Sequence, residues 1–258
     1  MKKQLAFFFV LSVALNWGST QSNAQEQKEY SSHGMVEFVP STEPTDPVDP
    51  EKPDPENPVQ PIDPTDPTGP RPGTAGPLSI DYVSSFDFGK NRISNKDQTY
   101  YTRAQKYQKN HPATPNYVQV SDNRGTNQGW VLTVKQMEQF RADRSTKNDR
   151  LTGAQLTLSS PTVTSNSQMK KRPVAESQLS LIPEMTAVVT TAEAGSGSGL
   201  WVTYWGTVEE RKEQQEDGTV QSATVNKAVA LFVPGSTLKD AVNYRTKLHW
   251  ALMDVPGN

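Results

Sequence analysis

No cysteine occurs anywhere in the chain, which excludes both a disulfide framework and a thiolate metal site. Histidine is nearly as scarce. His33, His111 and His249 are the only three, far apart in sequence and without the spacing of a zinc site or of a helical His pair. No metal and no cofactor are expected. Long apolar runs are also missing beyond one short stretch, Leu5 to Leu15, which follows Lys2 and Lys3 and precedes the small residues Ser22-Asn23-Ala24. That pattern reads as a secretory leader over residues 1–24. It is shorter than the roughly 20 apolar residues a spanning helix needs, so no transmembrane segment is expected. The end, Leu252 to Asn258, carries no Leu-Pro-x-Thr-Gly with apolar tail and basic end, so covalent attachment to a wall is not expected either. An exported chain of this size without cysteine suits a bacterium better than an animal, whose small secreted domains usually lean on disulfides.

Signs of catalysis are absent too. No serine stands in Gly-x-Ser-x-Gly, and Gly195-Ser196-Gly197-Ser198-Gly199 lacks the Lys-Ser or Lys-Thr of a phosphate loop and reads as a glycine-rich turn. Glu209-Glu210 and Glu216-Asp217 bracket Arg211 and Lys212 and read as solvated loop charge rather than two carboxylates opposed across a sugar. A non-enzymatic protein is expected.

What the chain does have is proline. From Val39 to Pro77 it recurs every two to four residues among Asp, Glu and Thr, and Ser41 to Pro70 carries eight acidic residues against Lys52 alone. Such a tract reads as a disordered Pro/Asp-rich spacer that buries nothing, held extended by like charge. At roughly 3.1 Å per residue over about 30 residues it would reach on the order of 90 Å. Residues 25–77 are therefore assigned to a flexible arm and linker. Removing the tract is expected to leave the following domain's stability unchanged.

Residues 78–258 suit one domain. They hold 21 Lys and Arg against 17 Asp and Glu, a mild excess that permits attraction to anionic polymers without demanding it. No nucleic-acid partner is expected. Period-two alternation between turns rich in Gly, Asn, Asp and Pro predicts strands over Leu78–Val83, Tyr117–Ser121, Gly129–Lys135, Ala154–Ser159, Met185–Thr191, Gly199–Gly206, Val225–Val233 and Tyr244–Met253. The fold class is all-β, an antiparallel β-sandwich or β-barrel. Tyr117–Ser121 and Gly129 onward flank a turn-rich connection and read as a hairpin or bulged loop.

Trp130-Val131-Leu132 returns as Trp250-Ala251-Leu252. On a strand, Trp-x-Leu puts the indole and the isobutyl group on one face. Trp130, Leu132 and Val134 share a face, and so do Tyr244, Thr246, Leu248, Trp250 and Leu252. Core is the expectation for both sets. A repeated aromatic pair could also line a surface groove, and Trp201, Tyr204 and Trp205 pose the same choice between core and rings offered to sugars.

These residues resemble a family. Leu78-Ser79-Ile80-Asp81-Tyr82-Val83, Phe86-Asp87-Phe88-Gly89, and Tyr117 to Gly125 with Gly129-Trp130-Val131-Leu132 look like the opening half of the WxL domain of Gram-positive surface proteins. Leu151 to Leu158 and Val233-Pro234-Gly235 are similar to its middle strands. Tyr244, Leu248, Trp250, Leu252 and Pro256 stand at the spacing that closes it. The resemblance covers Gly76 to Asn258. It implies a secreted protein held on the cell wall by non-covalent binding to peptidoglycan or another wall polymer, often beside companion surface proteins. Trp130, Leu132, Tyr244, Leu248, Trp250 and Leu252 are the motif residues of the candidate wall-binding domain. The competing expectation is a scaffold or adhesin subunit that binds a companion protein or a host matrix protein and reaches the wall indirectly.

Overall fold

The computed structural model describes residues 28–214 and 218–254; the leader read over residues 1–24 lies outside them. Among the described residues fifteen strands follow in order: β1 (Leu78–Val83), β2 (Gln98–Arg103), β3 (Tyr117–Asp122), β4 (Trp130–Gln136), β5 (Arg141–Ala142), β6 (Gln155–Ser159), β7 (Pro161–Thr164), β8 (Val174–Ala175), β9 (Gln178–Leu181), β10 (Thr186–Ala192), β11 (Gly199–Trp205), β12 (Val208–Gln214), β13 (Val220–Val233), β14 (Tyr244–Arg245) and β15 (Leu248–Asp254). Every strand pairing is antiparallel. The sheets run β1-β3-β11-β7, β15-β4-β10-β8 and β12-β13-β6-β9 with β2 also on β13, and β14 pairs with β5. Among the described residues the edge strands of the first two sheets also lie beside one another, β1 near β15 and β7 near β8. No helix of the described residues is long and apolar enough to cross a membrane.

The alternation in the sequence builds the main core. Val118 and Val120 of β3, Trp201 and Trp205 of β11, Trp130, Leu132 and Val134 of β4, and Leu156 and Leu158 of β6 meet in one buried cluster drawn from all three large sheets. The Thr190 and Thr203 hydroxyls hydrogen-bond at 2.9 Å between β10 and β11, satisfying two buried groups that would otherwise each cost about 1–3 kcal/mol.

Several expectations need correcting. Strands β3 and β4 are not a hairpin. β3 pairs with β1 and β11 while β4 pairs with β10 and β15, so the connection crosses between sheets. Arg124 holds it, gripping both oxygens of buried Asp122 at 2.9 Å and the Gly129 carbonyl at 2.8 Å. The crossing brings the apolar sides of β3 and β4 into one core from two different sheets. The predicted last strand is broken at Thr246-Lys247 into β14 and β15, which belong to different sheets. The charged loop after Gly206 is half of a β-hairpin, with Glu209 to Gln214 paired to Val220 to Val225; its exposed charges lie on a strand with little to bury.

The largest correction concerns the proline tract, which is no free spacer. The compact unit begins at Val39 rather than Leu78. Val48 is 0% exposed and, with Val59 beside it, joins Tyr82, Tyr107, Tyr117, Leu200 and Val202 in a second core on the outer face of the β1-β3-β11 sheet. A bulge at Asp81 turns both Asp81 and Tyr82 toward the tract. Gln119 reads the tract's backbone, accepting from Val48 N–H at 2.8 Å and donating to the Asp46 carbonyl at 3.0 Å. Further along, Ile62 N–H bonds Lys106 O and the Gln105 amide bonds Ile62 O. Ser85 bonds the Asp63 carboxylate, and Thr164 bonds Pro50 O.

The acidic residues explain the rigidity. In each of Asp49-Pro-Glu51, Asp54-Pro-Glu56, Asp63-Pro-Thr65 and Asp66-Pro-Thr68, the Asp side chain accepts the N–H two residues on, at 2.8–3.0 Å. Proline supplies no N–H and fixes φ, so the repeat is a series of side-chain-closed turns. Only Asp46-Pro47-Val48 departs from this series, its N–H going to Gln119 instead.

Candidate functional site

The motif residues separate into framework and clamp. Trp130 and Leu132 are 1% exposed, and the Trp130 indole N–H bonds the Gly197 carbonyl at 2.9 Å. Gly197 sits at φ +87°, and a Cβ there would come within 2.6 Å of the indole nitrogen. The glycine-rich turn is thus shaped to receive the ring. β15 lies beside β4 with Trp250 opposite Val134 and Leu252 opposite Leu132, so the two Trp-x-Leu motifs share the core face of one sheet without their rings facing each other. Leu248, Trp250 and Leu252 are half-buried against the core, and the Trp250 ring centroid is 6.2 Å from that of Trp205.

The choice left open for the second aromatic cluster is also decided. Trp201 and Trp205 fill the main core while Tyr204 borders the second one. The four fully buried members, Trp130, Leu132, Trp201 and Trp205, cannot stack on a ligand.

Tyr244 does something different. Its hydroxyl donates to Asn148 O at 2.6 Å and accepts from Asp240 N–H at 2.8 Å. The Asp240 carboxylate takes hydrogen bonds from the Thr146 hydroxyl and from both the backbone and side-chain nitrogens of Asn148, the latter two at 2.9 and 2.8 Å. Two distant stretches are so fastened together, with β5 pairing β14 beneath them. Their outer side is an open groove of about 530 Å³ lined by Glu138, Arg141, Arg144, Thr146, Asp149 and their neighbours. Arg141 reaches Asp149 at 2.7 Å and Glu138 at 3.7 Å, and Arg144 donates to Ala241 O. A groove with guanidinium, carboxylate and hydroxyl groups side by side can hydrogen-bond a polar polymer bearing amides, hydroxyls and carboxylates. Sequence reading did not single out its lining. The pairing of residue 148 with 240 was the missing information, and only the Tyr244 spacing hinted at it. Among the described residues no group of three or more His, Asp or Glu could hold a metal ion.

The hydrogen bonds from Thr146 and Asn148 hold the Asp240 carboxyl down at about 2. A depressed native pKa means that its stabilisation is present above the ordinary carboxylate value and is lost as pH falls toward about 2. Melting temperature measured across that acid range should fall more steeply in the native protein than in Asp240→Asn. Equal slopes would show that the clamp carries no pH-linked stability. Asp81 behaves in the opposite sense: burial beneath the tract pushes its carboxyl up, opposed by hydrogen bonds from Ser121, Ser79 and Gln119.

A family model described as WxL domain surface cell wall-binding matches residues 25–256, including the whole proline tract. No curated protein and no solved structure matches the chain.

Proposed function

The chain belongs to the WxL family of surface cell wall-binding domains, and from that premise we propose that it is a secreted, non-enzymatic protein that binds peptidoglycan non-covalently on a Gram-positive cell. The family match over residues 25–256 carries this reading. The binding unit is then the tract together with the sandwich, since they share a core. The buried motifs act as framework, and the groove fastened by Tyr244 is the contact surface. Its mixed charge suits a wall polymer whose sugars offer amides and hydroxyls and whose short peptides offer carboxylates.

Sedimentation with purified, protein-free peptidoglycan tests this. The protein should pellet with the wall, and the double variant Arg141→Ala, Arg144→Ala should bind on the order of tenfold more weakly, the worth of about 1.4 kcal/mol. Its melting temperature should hardly move, because Arg141 pairs at the exposed surface, where ion pairs contribute little. Retention only when a companion protein is added would overturn direct binding. Unchanged retention of the double variant would remove the groove from the contact surface.

A further inference from the structure

Part of the outer face of the β12-β13-β6-β9 sheet, shared by β2, β13, β6 and β9, carries no charge. The register sets Tyr101 of β2, Ala230 of β13, Thr157 of β6 and Ser180 of β9 in one row across it, and Thr99, Phe232 and Gln155 in the next. Side chains alternate between the two faces of a sheet. The row between these two, Leu231, Leu156 and Leu181, accordingly points inward and is buried. The outward rows hold two aromatic rings, hydroxyls and an amide, and neither an acid nor a base.

The other end of the sheet has the opposite character. Around the β12–β13 hairpin the charged groups are spent on one another: Arg103 pairs with Glu213 at 2.6 Å, Lys227 with Glu209 at 2.7 Å, and the Ser222 and Thr224 hydroxyls donate to Glu210. Arg211 and Lys227 lie 5.4 and 5.9 Å from the centre of the Tyr101 ring, which marks the boundary between the two ends. On the uncharged end the polar groups are unspent. The side chains of Thr99, Gln155, Thr157 and Ser180 make no hydrogen bond among the described residues. Phe232 is 37% exposed, and its neighbours Thr99 and Ala230 are short, which leaves the ring reachable from solvent.

We propose that this face binds the sugar backbone of a neutral glycan strand, Phe232 stacking on a sugar ring while Gln155, Thr157 and Ser180 hydrogen-bond the substituents around it. A pyranose offers C–H groups on its faces and hydroxyls at its rim, the complement of an aromatic ring set among free amide and hydroxyl groups. Four strands span three spacings, roughly 14 Å, room for a short run of sugars rather than one. Tyr101 stands diagonal to Phe232, roughly 7–8 Å away along the sheet, and supplies a second ring at the end of that run. A charged peptide or a phosphodiester finds no counter-charge here, unlike in the groove fastened by Tyr244. The inference rests on the wall-binding reading and adds a second surface to it: the groove takes charged stem peptides and the sheet face takes the glycan, and two contacts on one polymer hold it more tightly than either alone.

The test titrates the full chain recovered after export with a soluble, neutral oligomer of N-acetylglucosamine, followed by isothermal titration calorimetry at low and high salt. Saturable binding that salt leaves unchanged is expected, because the contact contains no ion pair to screen. Gln155→Arg, at an exposed position directly opposite Phe232, sets a guanidinium across the ring and should weaken binding at least about tenfold. Phe232→Ala should do the same, and Phe232→Trp should keep the binding, with circular dichroism showing each variant folded. A chain that does not bind the oligomer, or that binds it equally well with Gln155→Arg, would overturn the proposal. Pelleting with whole peptidoglycan is read separately: a chain that pellets normally but ignores the oligomer loses this site alone, and one that binds the oligomer but does not pellet loses the wall-binding reading alone.

Discussion

Deleting Ser41 to Pro70 should lower the melting temperature by well over about 10 °C or leave the domain unable to fold. The deletion removes Val48 and Val59 and uncovers Tyr82, Tyr107, Tyr117, Leu200 and Val202, all buried in the intact chain. A fully buried apolar side chain contributes about 1.5–3 kcal/mol, and the whole stability of a domain is only about 5–15 kcal/mol. Losing even about 5 kcal/mol moves the midpoint of a domain this size by roughly 10–20 °C. The deletion also strands Gln119, whose amide would lose Val48 N–H and Asp46 O while remaining beside the Asp81 carboxylate. Thermal unfolding followed by circular dichroism decides the matter. A melting temperature within about 2 °C of the intact protein would restore the free-spacer reading. The milder Val48→Asp should move in the same direction, because it puts a charge where no water reaches.

Trp130→Ala is the second large effect, expected to cost about 3–5 kcal/mol. The ring is sealed among the core side chains, and its N–H is satisfied by Gly197 O, so truncation leaves a cavity and an orphaned carbonyl. Trp250→Ala should cost less, about 2 kcal/mol, because the ring is only partly buried and part of its surface is already wet. Melting curves give the ranking, and near-ultraviolet circular dichroism reports whether the remaining tryptophans keep their packing. Weaker wall binding by either variant should track the loss of folded protein. A Trp130→Ala protein that melts normally but no longer pellets with peptidoglycan would falsify the framework role and return the motif to the contact surface.

The strands that were legible share one property: each has a single apolar side with period two, as in Trp130, Leu132, Val134 or Leu248, Trp250, Leu252. β12 was missed because a strand with charge on both sides has no such period. β14 was merged with β15 because the alternation runs unbroken through Thr246, although the backbone leaves one sheet there and joins another. Alternation records which way a side chain faces, and not which strand lies beside it.

The sequence by itself determined the all-β class, the inward face of both Trp-x-Leu motifs and the membership in a wall-binding family, because each depends on local period or on motif spacing alone. Tertiary structure decided two other things: that the proline tract is part of the fold and that Tyr244 fastens a groove. The reason is common to both. Proline-rich composition states that a segment cannot make a core of its own, but it carries no record of a Tyr-lined sheet face elsewhere in the chain that needs covering. Likewise, the bond from Tyr244 to Asn148 spans 96 residues, a separation that no local period records.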